Sequence, residues 1–345
     1  MLEARLQQAS ILKKLLDAIK ELVTDANFEC DEEGLKLQAM DNSHVALVAV
    51  ELQADGFTEY RCDRPMPLGV NLASLTKVMK CARDDDEVQL KASDNADSLH
   101  LLFENTTTDR TGEYDMKLMD IDQDHLGIPD TQYDATISLP SGEFSNICRN
   151  LSSLGESVKV EASKDGVRFS ADGESANGSV LLKSAGRAAV AKADGGSSKA
   201  KKENGIKKVK KEKNEDDEDE DVKEEDDDDD EIQEVKQQKD EEDEDEDDDD
   251  EDDEEEGKKR KKKQKSGPAK KQRKEKEESD DKVYITLNQH VALTFSLKYL
   301  VNFAKSASLS SRVTLSMSSD VPLLVEYKFE QGSVRYYLAP KIGDE

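Results

Sequence analysis

Between Lys183 and Val283 the chain offers almost nothing that a hydrophobic core could use. Ser184 to Lys282 carries 41 acidic and 26 basic residues, with an unbroken acidic run from Asp240 to Glu256. Basic blocks follow it, KKRKKKQK from Lys258 and KKQRK from Lys270. Such a tract cannot bury enough apolar surface to offset the entropy of ordering, so it is expected to be disordered. Strand signals stand on both sides of it, so it is expected to be an excursion from a folded unit. That is tolerable because the cost of closing a loop grows only slowly with its length. The rest of the chain keeps 39 acidic and 24 basic residues, about half of the net charge of −30.

What remains to fold is repetitive. Ser10 to Thr24, SILKKLLDAIKELVT, predicts a helix with Ile11, Leu12, Leu15, Ile19 and Leu22 on one face and Ser10 as its N-cap. Strand signals follow around Leu35–Leu37 and Val45–Leu52. A second helical stripe, Leu72, Leu75, Met79 and Ala82, precedes strands at Glu87–Lys91, Ser98–Glu104 and Glu113–Met119. Leu118 to Ala135 then has neither period and reads as a connector. Beyond it Ala135–Leu139 alternates like a strand, a stripe of Phe144, Ile147, Cys148 and Leu151 leads to strands at Ser157–Ala162, Gly166–Ala171 and Ser179–Lys183, and Val283–Leu287 alternates after the charged tract. A fourth stripe of Leu297, Leu300, Val301 and Ala304 leads to strands at Val313–Ser318, Leu323–Phe329 and Ser333–Leu338. A short helix followed by three strands thus occurs four times, twice on each side of the connector. The repeats are too long and too few for a solenoid, and a duplicated α+β domain is the expected architecture.

Each helix carries cations away from its apolar stripe: Lys13, Lys14, Lys20, Lys77, Lys80, Arg149, Lys298 and Lys305. A solvated amphipathic face explains any one of them. Together, in a foldable part with an acidic excess, they predict one basic surface turned toward a polyanion. No Asn or Gln readers are interleaved with them, so the expected contacts are with phosphates and independent of base sequence.

Several chemistries find no support. Four cysteines show no C-x-x-C spacing, which argues against a zinc site and a disulfide framework and fits a reducing compartment. The four histidines are scattered. Asp120, Asp122 and Asp124 imitate the start of a calcium loop, but His125 and Thr131 stand where such a loop needs Gly and Glu. Phosphate loops, zinc-protease motifs and nucleophile elbows do not occur. No signal peptide or membrane-spanning run is expected. No enzyme, metal or cofactor is predicted.

The stretches SILKKLLDAIKEL, LQAMDNSHVALV, YRCDRPMPLGVNLASLTKVMKCA, YDMKLMDIDQDHLGIP, PSGEFSNICR, KDGVRFSADGE, TLSMSSDVPLLVEYKF and YYLAPKI resemble the eukaryotic sliding clamps of DNA replication, the proliferating cell nuclear antigen family. The resemblance covers most of residues 1–183 and 283–342. It implies the clamp fold: two similar domains per chain, helices lining a channel, sheets outside, and a ring closed by three copies. The implied boundaries are 1–117, a connector over 118–135, and 136–183 plus 283–345, with 184–282 as the insertion.

The resemblance also assigns roles. The cations named above fall where such clamps face DNA; Asn146 and Ser153 replace the family's usual Arg and His, which implies fewer contacts from that helix. Partner peptides carrying a Gln and an aromatic pair would dock beside the connector. The matching positions are Met40, His44, Val45, Leu47, Leu126 and Ile128, with Pro322, Tyr337, Ala339, Pro340 and Lys341. Subunits would meet through Asp109–Lys117 of one copy and Ser175–Lys183 of the next, with Tyr114 at the seam. Lys164 matches a lysine that receives ubiquitin-like proteins. The implied function is that of a polymerase processivity factor in the nucleus, with duplex DNA, polymerases, a clamp loader and its own copies as partners and no membrane. A subunit of a heterotrimeric checkpoint clamp and an acidic histone chaperone on a clamp scaffold are the alternatives.

Overall fold

The computed structural model describes residues 1–94, 97–122, 126–128, 131–185 and 281–341. The disorder expected for the charged tract lies outside the described residues, except at its ends. There Ala185 donates its N–H to the Val283 carbonyl at 2.8 Å, so the excursion leaves and returns at one point.

The N-terminal half runs β1 (Leu2–Leu6), α1 (Ala9–Ile19), β2 (Asp25–Cys30), β3 (Gly34–Met40), β4 (Ala46–Gln53), β5 (Glu59–Cys62), β6 (Met66–Asn71), α2 (Leu72–Met79), β7 (Glu87–Ala92), β8 (Ser98–Asn105) and β9 (Arg110–Lys117). The C-terminal half repeats the plan. It runs β10 (Ala135–Pro140), α3 (Ser141–Ser152), β11 (Ser157–Ser163), β12 (Gly166–Asp172) and β13 (Asn177–Leu182), then β14 (Tyr284–Leu287), β15 (Val291–Ser296), α4 (Leu297–Phe303), β16 (Arg312–Ser318), β17 (Val321–Phe329) and β18 (Gly332–Leu338).

Helix α1 is shorter than its pattern predicts, and its cap is different. It begins at Ala9, and Ser10 sits inside it with no capping bond. The orphan N–H groups of Ala9 and Ser10 instead donate to the carbonyls of Asp86 and Asp84, at 2.8 and 3.2 Å. A loop far along the chain supplies what a side-chain cap usually does. The winding stops at Ile19, and Leu22 and Val23 reach the core from a turn. In α4 the inward face includes Phe303, fully buried, while Val301 is half-buried. The helix tightens into a 3-10 stretch over Ala304–Ser308, which rotates that face. Phe303 then stacks on Tyr336, with centroids 4.4 Å apart.

Nine strands form one sheet, in the order β14-β10-β16-β17-β18-β4-β3-β2-β6. The two halves join where β18 pairs antiparallel with β4, from Gly332 opposite Leu52 to Leu338 opposite Ala46. Along β4 the residues Ala46, Val48, Val50 and Leu52 point inward, the period-2 pattern of a sheet with one buried face. A five-stranded sheet, β5-β1-β7-β8-β9, and a four-stranded sheet, β13-β12-β11-β15, belong to one half each. The helices lie shoulder to shoulder: α2 on α1, α1 on α4 and its 3-10 extension, and these on α3.

Candidate partner groove and cationic face

The connector is fastened to the nine-stranded sheet at several points. Met119 N–H donates to the Gly69 carbonyl at 3.0 Å. A side chain at Gly69 would place its Cβ 2.0 Å from the Met119 carbonyl oxygen, so this approach requires glycine. Asn27 Nδ2 donates to the Ile121 carbonyl at 2.9 Å, Gln38 Nε2 to Leu126 at 2.7 Å, and Asn288 Nδ2 to Tyr133 at 3.2 Å. Gln123, Asp124 and His125 lie outside the described residues.

Beside the connector an open cavity of about 270 Å³ is walled by Met40, His44, Val45 and Leu47, by Leu126 and Ile128, and by Pro322, Tyr337 and Ala339. Nine of the eleven positions named from the sequence therefore meet around one space. Leu126 and Ile128 are 41% and 40% exposed, an unusual state for large apolar side chains tied to a sheet. An apolar hollow of this kind suits an aromatic plug. Pro340 and Lys341 are not in the wall. Lys341 is pinned elsewhere, its N–H to the Thr294 carbonyl at 2.8 Å and its Nζ to Ser157 Oγ at 2.5 Å. Thr131, Tyr133 and Val321 line the cavity without having been singled out. Burial, with Tyr337 nearby, pushes the Tyr133 phenol above its ordinary pKa. Its position in an aperiodic segment gives no local sign of this role.

The eight cations belong to helices that pack on one another, although three of them stand beyond the helices proper. Lys20 and Lys80 are the C-cap residues of α1 and α2, and Lys305 lies in the 3-10 stretch. Cations at such ends also complement the helix dipole. Lys14, Lys77, Lys80, Arg149 and Lys298 are exposed. The other three are paired with acids. Lys13 Nζ donates to the Ala82 carbonyl at 2.6 Å and to Asp84 at 2.8 Å. Lys20 pairs with Asp17 at 2.6 Å, and Lys305 with Glu21 across the two halves. Asn146 is exposed, and Ser153 Oγ donates to the Asn150 carbonyl at 2.7 Å.

β9 and β13 are the outermost strands of their sheets. The Tyr114 ring packs on Phe103, with centroids 5.2 Å apart. Lys117 closes β9, while Ser175 and Lys183 flank β13, which is shorter than the span expected for it. Asp109 precedes β9 in a turn, with φ 46. Lys164 is exposed in the turn between β11 and β12.

Among the described residues no group of three or more His, Cys, Asp or Glu side chains is arranged to hold a metal ion, and no helix is long and apolar enough to cross a membrane. The four cysteines are free thiols. Burial pushes the Cys148 thiol up to about 12 and that of Cys30 higher still, so both are poor nucleophiles.

Comparison with known proteins gives the family. The family model for the proliferating cell nuclear antigen N-terminal domain matches residues 1–126, and that for the C-terminal domain matches 127–219 and 265–342. Their junction falls inside the connector, and the interruption falls inside the charged tract. The proliferating cell nuclear antigen of Chaetomium thermophilum is 43% identical over 346 residues, spanning 100% of both chains. The chain belongs to the proliferating cell nuclear antigen family, the homotrimeric sliding clamps that hold polymerases on DNA.

Proposed function

We propose that three copies of this chain close head to tail around duplex DNA, with the helix cations facing the phosphates and the connector groove holding partner peptides. The observation that carries this reading is the set of cations itself. Five exposed cations come from four neighbouring helices on a chain with a net charge of −30. Their attraction for duplex is independent of base sequence and sensitive to salt. Tethering an enzyme to a ring that cannot leave the duplex raises its local concentration, so processivity rises without catalysis by the clamp.

The residue roles follow from this arrangement. Residues 1–117 and 136–183 plus 283–345 are the two clamp domains, 118–135 the connector, and 184–282 the insertion. β9 of one copy pairs with β13 of the next around Tyr114, Lys117, Ser175 and Lys183, covering edges that otherwise invite aggregation. Met40, His44, Val45, Leu47, Leu126, Ile128, Pro322, Tyr337 and Ala339 receive the aromatic pair. Lys164 is the acceptor for ubiquitin-like modification. The basic blocks at Lys258 and Lys270 direct the chain to the nucleus.

Light scattering of the purified chain is expected to give the mass of three copies; a monomer overturns the ring. Polymerase stimulation on primed circular DNA should persist after loading and vanish when the circle is cut near the primer. Stimulation indifferent to linearisation rejects topological tethering. Incubation of the chain alone with circular and linear DNA tests the absence of nuclease chemistry.

A further inference from the structure

The turn between β3 and β4 supplies two groove residues, His44 and Val45, and one carboxylate organises it. Asp41 is only 7% exposed. Its Oδ1 accepts the N–H groups of Val45 and Ala46 at 2.8 and 2.7 Å, and its Oδ2 that of Ser43 at 3.1 Å. His44 is held at φ 55, a left-handed conformation that disfavours any residue with a Cβ. The turn therefore keeps its shape against a local backbone cost, and the bonds to Asp41 are what oppose that cost.

The fourth of those bonds does not come from the turn. The Tyr299 hydroxyl, on α4 and 258 residues away, donates to Asp41 Oδ2 at 2.8 Å. It ties the C-terminal half to the groove wall of the N-terminal half. Tyr299 is half-buried and does not line the groove. Its neighbour Lys298 is one of the exposed cations, so one short helix serves both surfaces.

We propose that Tyr299 is a positioning residue for partner binding: acting through Asp41, it holds the His44–Val45 wall in the shape that receives the peptide, without touching the peptide. The inference rests on the groove being the peptide site. The physical basis is a population effect. A hydroxyl donating to a carboxylate stabilises the formed turn, and apparent affinity falls in proportion to the fraction of molecules in which the turn is formed.

The test uses the full-length trimer and calorimetry with a synthetic peptide carrying the Gln and the aromatic pair. Tyr299→Phe, which keeps the ring and removes only the donor, is expected to weaken binding roughly fivefold, with the mass of the assembly unchanged. Asp41→Asn keeps the side-chain shape, and in that background Tyr299→Phe should cost much less, because the charged acceptor is already gone. Such non-additivity is not expected of a general loss of stability. Leu47→Ala separates the two ideas. If Leu47→Ala weakens binding and Tyr299→Phe does not, or if the two substitutions in the cycle are additive, the positioning role is overturned and the groove stands. If Leu47→Ala leaves affinity unchanged, the groove reading fails and the inference falls with it.

Discussion

Gln38 on β3 donates from Nε2 to the carbonyl oxygen of Leu126 at 2.7 Å, tying the apolar tip of the connector to the strand beneath it. The bond fixes the backbone at Leu126, whose side chain stays exposed, as does that of Ile128. Replacing Gln38 with Ala removes a solvent-accessible hydrogen bond worth about 1 kcal/mol. The melting temperature should fall by only a few degrees, while the affinity for a groove-binding peptide falls several-fold. Equal affinity in calorimetry would show that the connector needs no such anchor.

The cations divide into two groups that titration with salt can separate. Replacing Lys14, Lys77, Lys80, Arg149 or Lys298 with Ala should flatten the dependence of log affinity on log salt by about 0.9 for each phosphate left without a cation. Lys13 differs, because its ammonium already serves Ala82 and Asp84. Lys13→Ala is expected to cost about 1 kcal/mol of stability, with a smaller change in slope. A Lys13 variant that alters the slope as strongly as the Lys14 variant and leaves the melting temperature alone would contradict the division.

Gly69→Ala sets a new Cβ against the Met119 carbonyl, a backbone atom with little room to move. The strand and the start of the connector must separate. A loss of about 1–3 kcal/mol is expected, together with faster hydrogen exchange at the Met119 amide, whose bond to Gly69 is broken. Unchanged exchange there would mean that the connector tolerates the displacement.

Asp41 predicts a pH response. Burial disfavours its charge, but the N–H groups of Ala46, Ser43 and Val45 and the Tyr299 hydroxyl outweigh burial and hold its pKa below the ordinary carboxylate value. The stabilisation is therefore complete above the unfolded-state value of about 3.9 and is lost as pH falls through the lower native value. The amide resonances of Val45 and Ala46 should titrate with a midpoint below that of an exposed aspartate. A midpoint at or above the ordinary value would remove Asp41 as the organiser of the turn.

Much of the architecture was legible in the chain because it is written in local periods. The stripes of α2 and α3 are buried as their spacing predicts, and the connector shows itself by lacking any period. Strands β1, β2, β5, β6 and β15 were missed. They are short or carry polar residues and a proline, and they are strands because neighbours pair with them. The groove was legible through family resemblance. Tyr133 escaped it, because an aromatic residue in an aperiodic segment acquires a role only when the segment folds over a sheet.

The residues alone were enough to separate the foldable chain from the charged tract, to duplicate the domain and to gather cations on the helices, since composition and spacing are properties of neighbours in sequence. Folding settled the rest: the pairing of β18 with β4, the capping of α1 by the Asp84 and Asp86 carbonyls, the capture of Lys13, Lys20 and Lys305 by acids, and the bond from Tyr299 to Asp41. Most of these join groups far apart along the chain, and a hydrogen bond between distant residues leaves no periodic trace in either segment.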